Sequence, residues 1–166
     1  AMDALAAVGL EDAADRFVWE LSGGQQHLVA LAGVLAMDPD FIIVDEPAAQ
    51  LDPHNARQTY EQLRDIQRDT GVGVIVIEHH TEFIADYCDR LVMVADGDVA
   101  WSEPVGAGLN RIDELLDADI HPPQVTQIAR ELPGTHGTLP NGRYPVTVDE
   151  AVDAFPTATG KASRQA

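Results

Sequence analysis

Two apolar runs of strand length constrain most of what this chain can become. Residues 41–44 read Phe-Ile-Ile-Val and residues 72–77 read Val-Gly-Val-Ile-Val-Ile, without polar alternation in either. A strand that is apolar at successive positions suits a parallel sheet covered on both faces. Between the runs lies a helical span, 54–70, opened by Pro53 and ended by Gly71, with Tyr60, Leu63 and Ile66 on one face. Another span, 24–37, precedes the first run and carries Leu28, Leu31, Val34 and Leu35 as a stripe predicted to pack on the sheet. Asp38-Pro39-Asp40 turns it into the strand. After the second run, Thr81 is predicted to cap a helix reaching about Asp89. Residues 91–94 and 99–101 then flank Asp96-Gly97, a strong hairpin signal. The order strand, helix, strand, helix, strand predicts an α/β fold: a parallel sheet with right-handed crossovers, closed by an antiparallel edge.

The polar residues cluster where such a sheet presents its ligands, beyond the carboxyl ends of the strands. The first run ends in Asp45-Glu46-Pro47 and the second in Glu78-His79-His80. Asp45 is placed to hold Mg²⁺, directly or through water, and Glu46 to polarise an attacking water. His79 is placed to hydrogen-bond a terminal phosphate or that water, with His80 secondary. The plainer alternatives are two solvated acids and a surface histidine. Upstream, Leu21-Ser22-Gly23-Gly24-Gln25-Gln26 opens the first helix. Ser22 is a good N-cap, and the glycines behind it allow a ligand close to the backbone. Exposed N–H groups at the positive end of the helix dipole make an anion site, although an ordinary Ser-capped helix start reads the same way.

Charge narrows the partners. The net charge is −18 over 166 residues, and Lys161 is the single lysine. This argues against binding nucleic acid or anionic lipid by charge. It suits a protein kept soluble in high salt, where repulsion between carboxylates is screened, and so predicts a halophilic source. One cysteine, Cys88, excludes an internal disulfide, and its neighbours Phe83, Ile84 and Tyr87 read it as a core thiol. No apolar run approaches the roughly eighteen residues of a membrane span.

The ends of the chain differ from its middle. Residues 2–8 read as an amphipathic helix closed by Gly9, and 10–16 as a short second helical turn. Beyond about Glu103 the composition changes. Helices are predicted at 109–116, at 125–132 and at 148–154, the last capped by Thr147. His121-Pro122-Pro123 and the Gly/Pro-rich loop 133–142 separate them. Residues from Pro156 onward read as disordered. His121 and His136 read as solvated loop histidines.

In order and spacing, the quoted stretches resemble the signature motif, Walker B strand, D-loop (Gln50-Leu51-Asp52-Pro53) and switch histidine of the ATP-binding cassette (ABC) nucleotide-binding domain. The resemblance implies the P-loop NTPase fold in part, a three-layer parallel sheet with helices, plus a small, mainly helical C-terminal extension. It divides the chain into 1–103, the ATPase portion; 104–155, an extension implied to serve in dimerisation; and 156–166, a tail. No Gly-x-x-x-x-Gly-Lys-Ser/Thr phosphate loop occurs in the 166 residues, so the chain is expected to be the C-terminal half or so of a longer polypeptide. Pro122-Pro123-Gln124-Val125-Thr126-Gln127-Ile128-Ala129 and Pro145-Val146-Thr147-Val148-Asp149-Glu150-Ala151 further resemble the extension of energy-coupling-factor importer ATPases.

From that resemblance follow the implied roles. ATP and Mg²⁺ are the cofactors. In a sandwich of two ATPase subunits, identical or different, one supplies Asp45, Glu46 and His79, and the other supplies Ser22, Gly23, Gly24, Gln25 and Asp52. A transmembrane coupling subunit and a substrate-binding membrane subunit complete an importer of metal ions or vitamins. The ATPase then lies at the cytoplasmic face of the membrane, without nucleic acid. A non-catalytic half-domain lending its signature to a partner, or an ABC-fold ATPase of another pathway, are the alternatives. Leu28 stands where the family usually has arginine, His27 also departs, and Ala48 replaces a usual Thr or Ser.

Overall fold

The computed structural model describes residues 2–49, 51–133 and 137–155. They fall into two units, divided between Glu78 and His79. The change in composition near Glu103 lies inside the second. Gln50, His136 and the segment from Pro156 are outside the described residues.

In the first unit, α1 (Met2–Ala7) ends where Gly9 takes φ +68°, and a 3-10 turn follows at Glu11–Ala13. α2 (Gly23–Leu35) leads to β1 (Phe41–Asp45), α3 (Pro53–Thr70) and β2 (Gly73–Ile77). Pro53 opens α3 behind its cap Asp52, and Gly71 closes it in the left-handed conformation at φ +76°, which costs glycine little. β1 and β2 pair in parallel, with Phe41 opposite Gly73 and Asp45 opposite Ile77. Their inner face packs Ile42, Val44 and Val74 with Ile66 of α3, Val72, and Leu31 and Leu35 of α2. A smaller cluster joins Leu10, Ala13 and Leu21 to Leu5, Val8, Leu28 and Val29.

Two expectations are corrected here. The strands are not covered on both faces: Phe41 and Ile43 are 66% and 68% exposed, and Ile75 and Ile77 lie open on the same side. Period-2 geometry sends alternate side chains to opposite faces, and α2 and α3 cover one of them. On α2, Val34 is exposed, and the most deeply buried residue is Ala32.

The second unit contains α4 (Thr81–Tyr87), the antiparallel pair β3 (Arg90–Ala95) and β4 (Asp98–Pro104), and the short helices α5 (Val105–Gly108), α6 (Ile112–Asp117), α7 (Gln124–Glu131) and α8 (Val148–Ala154). Asp96 and Gly97 both take positive φ, as a two-residue hairpin turn requires. The hairpin forms a sheet of its own and is not an added edge of the parallel pair. Thr81 does not cap α4: His80 occupies that position, and the Thr81 hydroxyl donates to the His121 carbonyl at 2.8 Å. The helix expected at 109–116 starts late, as α6 from Ile112, and residues 109–111 link it to the separate short helix α5. In that link the Asn110 amide nitrogen donates to the carbonyls of Gly106 and Tyr144, and its oxygen accepts from the Tyr144 N–H. Thr147 caps α8 as expected, its hydroxyl oxygen accepting from the Glu150 N–H. Cys88 is half-buried, at the end of α4. The core of this unit joins Leu109, Leu115 and Val146 to Leu91 and Trp101 of the hairpin and to Ala85, Val105 and Ile120.

Candidate functional site

The start of α2 is built by a reciprocal cap. Ser22 Oγ accepts from the Gln25 N–H at 3.3 Å, and Gln25 Oε1 accepts from the Ser22 N–H at 3.0 Å. The preceding 3-10 turn, Val18–Glu20, is clamped to the helix by Gln26, whose Nε2 donates to the carbonyls of Val18 and Leu21. The first N–H groups of a helix have no partner within it, and the cap takes only that of Gln25. The N–H groups of Gly23 and Gly24 therefore face outward. Both glycines are exposed, and a Cβ built on either meets nothing within 4 Å. An anion can approach this backbone closely, which the chemistry of a phosphate requires.

The strand end is the second part. Asp45 closes β1 and is exposed. Glu46 leaves the strand at φ +44°, a left-handed conformation that costs a non-glycine residue about 1–2 kcal/mol. Its N–H donates to the carbonyl of Ile77 at 2.9 Å, and its carbonyl accepts from the Ala49 N–H at 3.0 Å. The acid thus sits on a turn fixed at both sides, and Ala48, two residues on, is buried. Carboxylate oxygens at an open strand end are the hard ligands Mg²⁺ takes, and Asp45 fits that role.

Asp52 has a local task. One of its oxygens accepts from the N–H groups of His54 and Asn55, which caps α3. The hydrogen bonds from Asn55, backbone first and side chain second, hold its carboxyl below the usual aspartate value. His79 opens the second unit, exposed, with its ring centroid 4.1 Å from that of His80. Ser22 and Asp52 are thus each tied into the start of their own helix, and Glu46 is tied to the Ile77 carbonyl of the neighbouring strand.

Two features escaped sequence reasoning. Tyr60 appeared only as one of three apolar positions on α3, yet its hydroxyl donates to Glu78 Oε2 at 2.6 Å. The backbone sign of Glu46 carried no signal either, since glutamate is not among the non-glycine residues enriched in that region.

The family model of ABC transporters matches residues 1–49. The energy-coupling factor transporter ATP-binding protein EcfA of Methanosphaera stadtmanae is 33% identical over 156 residues, 94% of this chain and 56% of that protein. The phosphonates import ATP-binding protein PhnC of Maricaulis maris is 41% identical over 117 residues, 70% of this chain and 44% of that one. Among solved structures, CbiO1 from Clostridium perfringens, part of the ABC transporter complex cbiONQ, superposes with a TM-score of 0.57 at 29% identity. That match covers 79% of this chain and 48% of that one. The chain spans about half the length of the curated relatives it matches.

Proposed function

Because the chain belongs to the ABC transporter ATP-binding family, we propose that it carries the signature helix, Walker B strand and D-loop of a subunit whose ATP hydrolysis drives import of the energy-coupling-factor type. The observation that carries the reading is the pairing of a capped helix start, bare over Gly23 and Gly24, with an acid pair whose second member is held in a left-handed turn. Support for the importer branch comes from coverage. The EcfA alignment spans 94% of the chain and so includes most of the extension; the more identical phosphonate importer spans 70%.

In this reading Gly23 and Gly24 offer N–H groups to a terminal phosphate, with Ser22 and Gln25 keeping the helix start in shape. Asp45 holds Mg²⁺, which when bound neutralises charge developing on the phosphate oxygens. Glu46 accepts a hydrogen bond from the attacking water and orients it, and His79 hydrogen-bonds the phosphate released. Asp52, fixed by its capping bonds, stands ready for a partner subunit. The phosphate loop comes from outside these 166 residues. A second ATPase subunit, a transmembrane coupling subunit and a substrate-binding membrane subunit are the proposed partners, at the cytoplasmic face. Among the described residues no helix is long and apolar enough to cross a membrane itself.

The test uses a polypeptide in which this chain is joined to a phosphate-loop half. Glu46→Gln there lowers kcat by about a hundredfold or more and leaves ATP affinity nearly intact, because glutamine keeps the shape but loses the charge that polarises water. Near-normal turnover places the base elsewhere. The 166 residues alone turn over no ATP and bind it weakly; micromolar binding in calorimetry overturns that part.

A further inference from the structure

Buried hydroxyls on helices that pack against a sheet usually find a partner close by in the chain or in the backbone. Tyr60 does neither. It is 2% exposed on α3, and its hydroxyl crosses to the carboxylate of Glu78, the residue that follows β2, at 2.6 Å. That is the short distance of a hydrogen bond to a charged acceptor, the stronger kind. The residue before Glu78 is Ile77, whose carbonyl accepts the Glu46 N–H. The chain of contacts is therefore unbroken within one unit: phenol, Glu78 carboxylate, the adjoining Ile77 carbonyl, the Glu46 N–H, and the turn at φ +44° that aims the Glu46 side chain.

We propose that Tyr60 is a positioning residue for Glu46, acting through Glu78. β2 ends one residue before Glu78, so pairing with β1 stops fixing the backbone there. An anchor on the Glu78 side chain restrains the Ile77–Glu78 peptide, whose carbonyl is the acceptor that offsets the unfavourable backbone of Glu46. Tyr60 supplies the anchor from α3, where Leu63 and Ile66 are also buried and hold the helix in place. Because Asp52 caps α3, the same phenol ties the helix behind Asp52 to the strand that leads to His79. This rests on the reading of Glu46 as the residue that orients water.

The experiment is amide hydrogen exchange on the full 166-residue chain by NMR, comparing Tyr60→Phe, Glu78→Ala and Glu78→Gln. Tyr60→Phe keeps the ring and its packing and removes only the hydroxyl. A bond of this type is worth roughly a ten- to hundredfold change in local opening, so the Glu46 amide exchanges faster by that factor in Tyr60→Phe and Glu78→Ala. The amide of Ile66, deep in α3, stays within about threefold of the wild type. Glu78→Gln, which keeps an acceptor oxygen, lies between. A merely structural role moves Glu46 and Ile66 together, and either that result or an unchanged Glu46 amide overturns the inference. The double variant Tyr60→Phe with Glu78→Ala adds nothing beyond either single change if the two act as a pair; additive effects overturn it. The two readings fail separately. If Glu46 exchange responds selectively but Glu46→Gln retains turnover, the assignment of Glu46 falls. If Glu46→Gln is inactive but exchange is uniform, the role of Tyr60 falls.

Discussion

Glu150 is a point at which one substitution reaches the core of the second unit. One carboxylate oxygen accepts from the Val146 N–H at 2.8 Å and from Arg143 Nη1 at 3.0 Å, and the other accepts from Arg143 Nη2. Val146 is buried in the cluster with Leu109 and Leu115. Replacing Glu150 by Ala therefore removes the acceptor that pins a core residue and cuts the link to Arg143. A hydrogen bond from a backbone N–H to a charged acceptor is worth about 1.5–3 kcal/mol. The ion pair, whose side chains are 28% exposed on both sides, adds up to about 1 kcal/mol after screening. The expected loss is roughly 2–4 kcal/mol, or a fall of about 1–2 M in the urea midpoint. Trp101 reports on this unit, because it packs on the same cluster. A Trp19→Phe background removes the other tryptophan, which is exposed. Burial alone pushes the Glu150 carboxyl up, and the hydrogen bonds from Arg143 and Val146 more than reverse this, so it lies below the usual glutamate value. A carboxyl depressed in the folded state stabilises above its unfolded pKa and ceases to do so as pH falls through its folded one. The gap between wild type and Glu150→Ala is thus full at neutral pH and closes on acidification. A loss under about 0.5 kcal/mol, or a gap constant with pH, refutes the account.

The charge and the extension give two more predictions. With a net charge of −18, the melting temperature rises as KCl goes from about 0.1 M to about 1 M, because the screening length falls from about 10 Å to about 3 Å. A flat or falling curve argues against a high-salt source. Val148 and Val152 share a face of α8, both 68% exposed, and α7 leaves Ile128 open as well. If the extension pairs two ATPase subunits, Val148→Asp with Val152→Asp weakens self-association at least tenfold in sedimentation and leaves the melting temperature within a few degrees. Unchanged association removes the pairing role from this face.

What could be read from the sequence was what is decided locally. Pro53 and Gly71 bracket α3, Ser22 and Thr147 cap their helices, and Asp96-Gly97 turns the hairpin; each works over four residues or fewer. Ser22 and Asp45 stand out in the sequence at a helix start and a strand end, and that is where they lie. Several of the misses involve distant partners. Thr81 lost its capping role to a carbonyl 40 residues on, and Asn110, expected inside a helix, instead bonds Tyr144, 34 residues away, ahead of a helix that starts only at Ile112. Tyr60 looked like core because nothing near it in sequence marked a carboxylate 18 residues later. For the tail, apolar count alone does not separate Leu115 and Val146, which are buried within their own unit, from Val148 and Val152, which are not.

The open side of the two-stranded sheet bears on how the protein behaves in solution. Phe41, Ile43, Ile75 and Ile77 form an apolar strip on two parallel strands, the kind of surface that recruits further strands or copies of itself. At low ionic strength the mutual repulsion of highly acidic molecules keeps such strips apart. Salt removes that repulsion while strengthening apolar attraction. Folding and colloidal stability therefore respond to salt with opposite signs: the conditions that relieve strain within each molecule also shorten the time it stays dispersed.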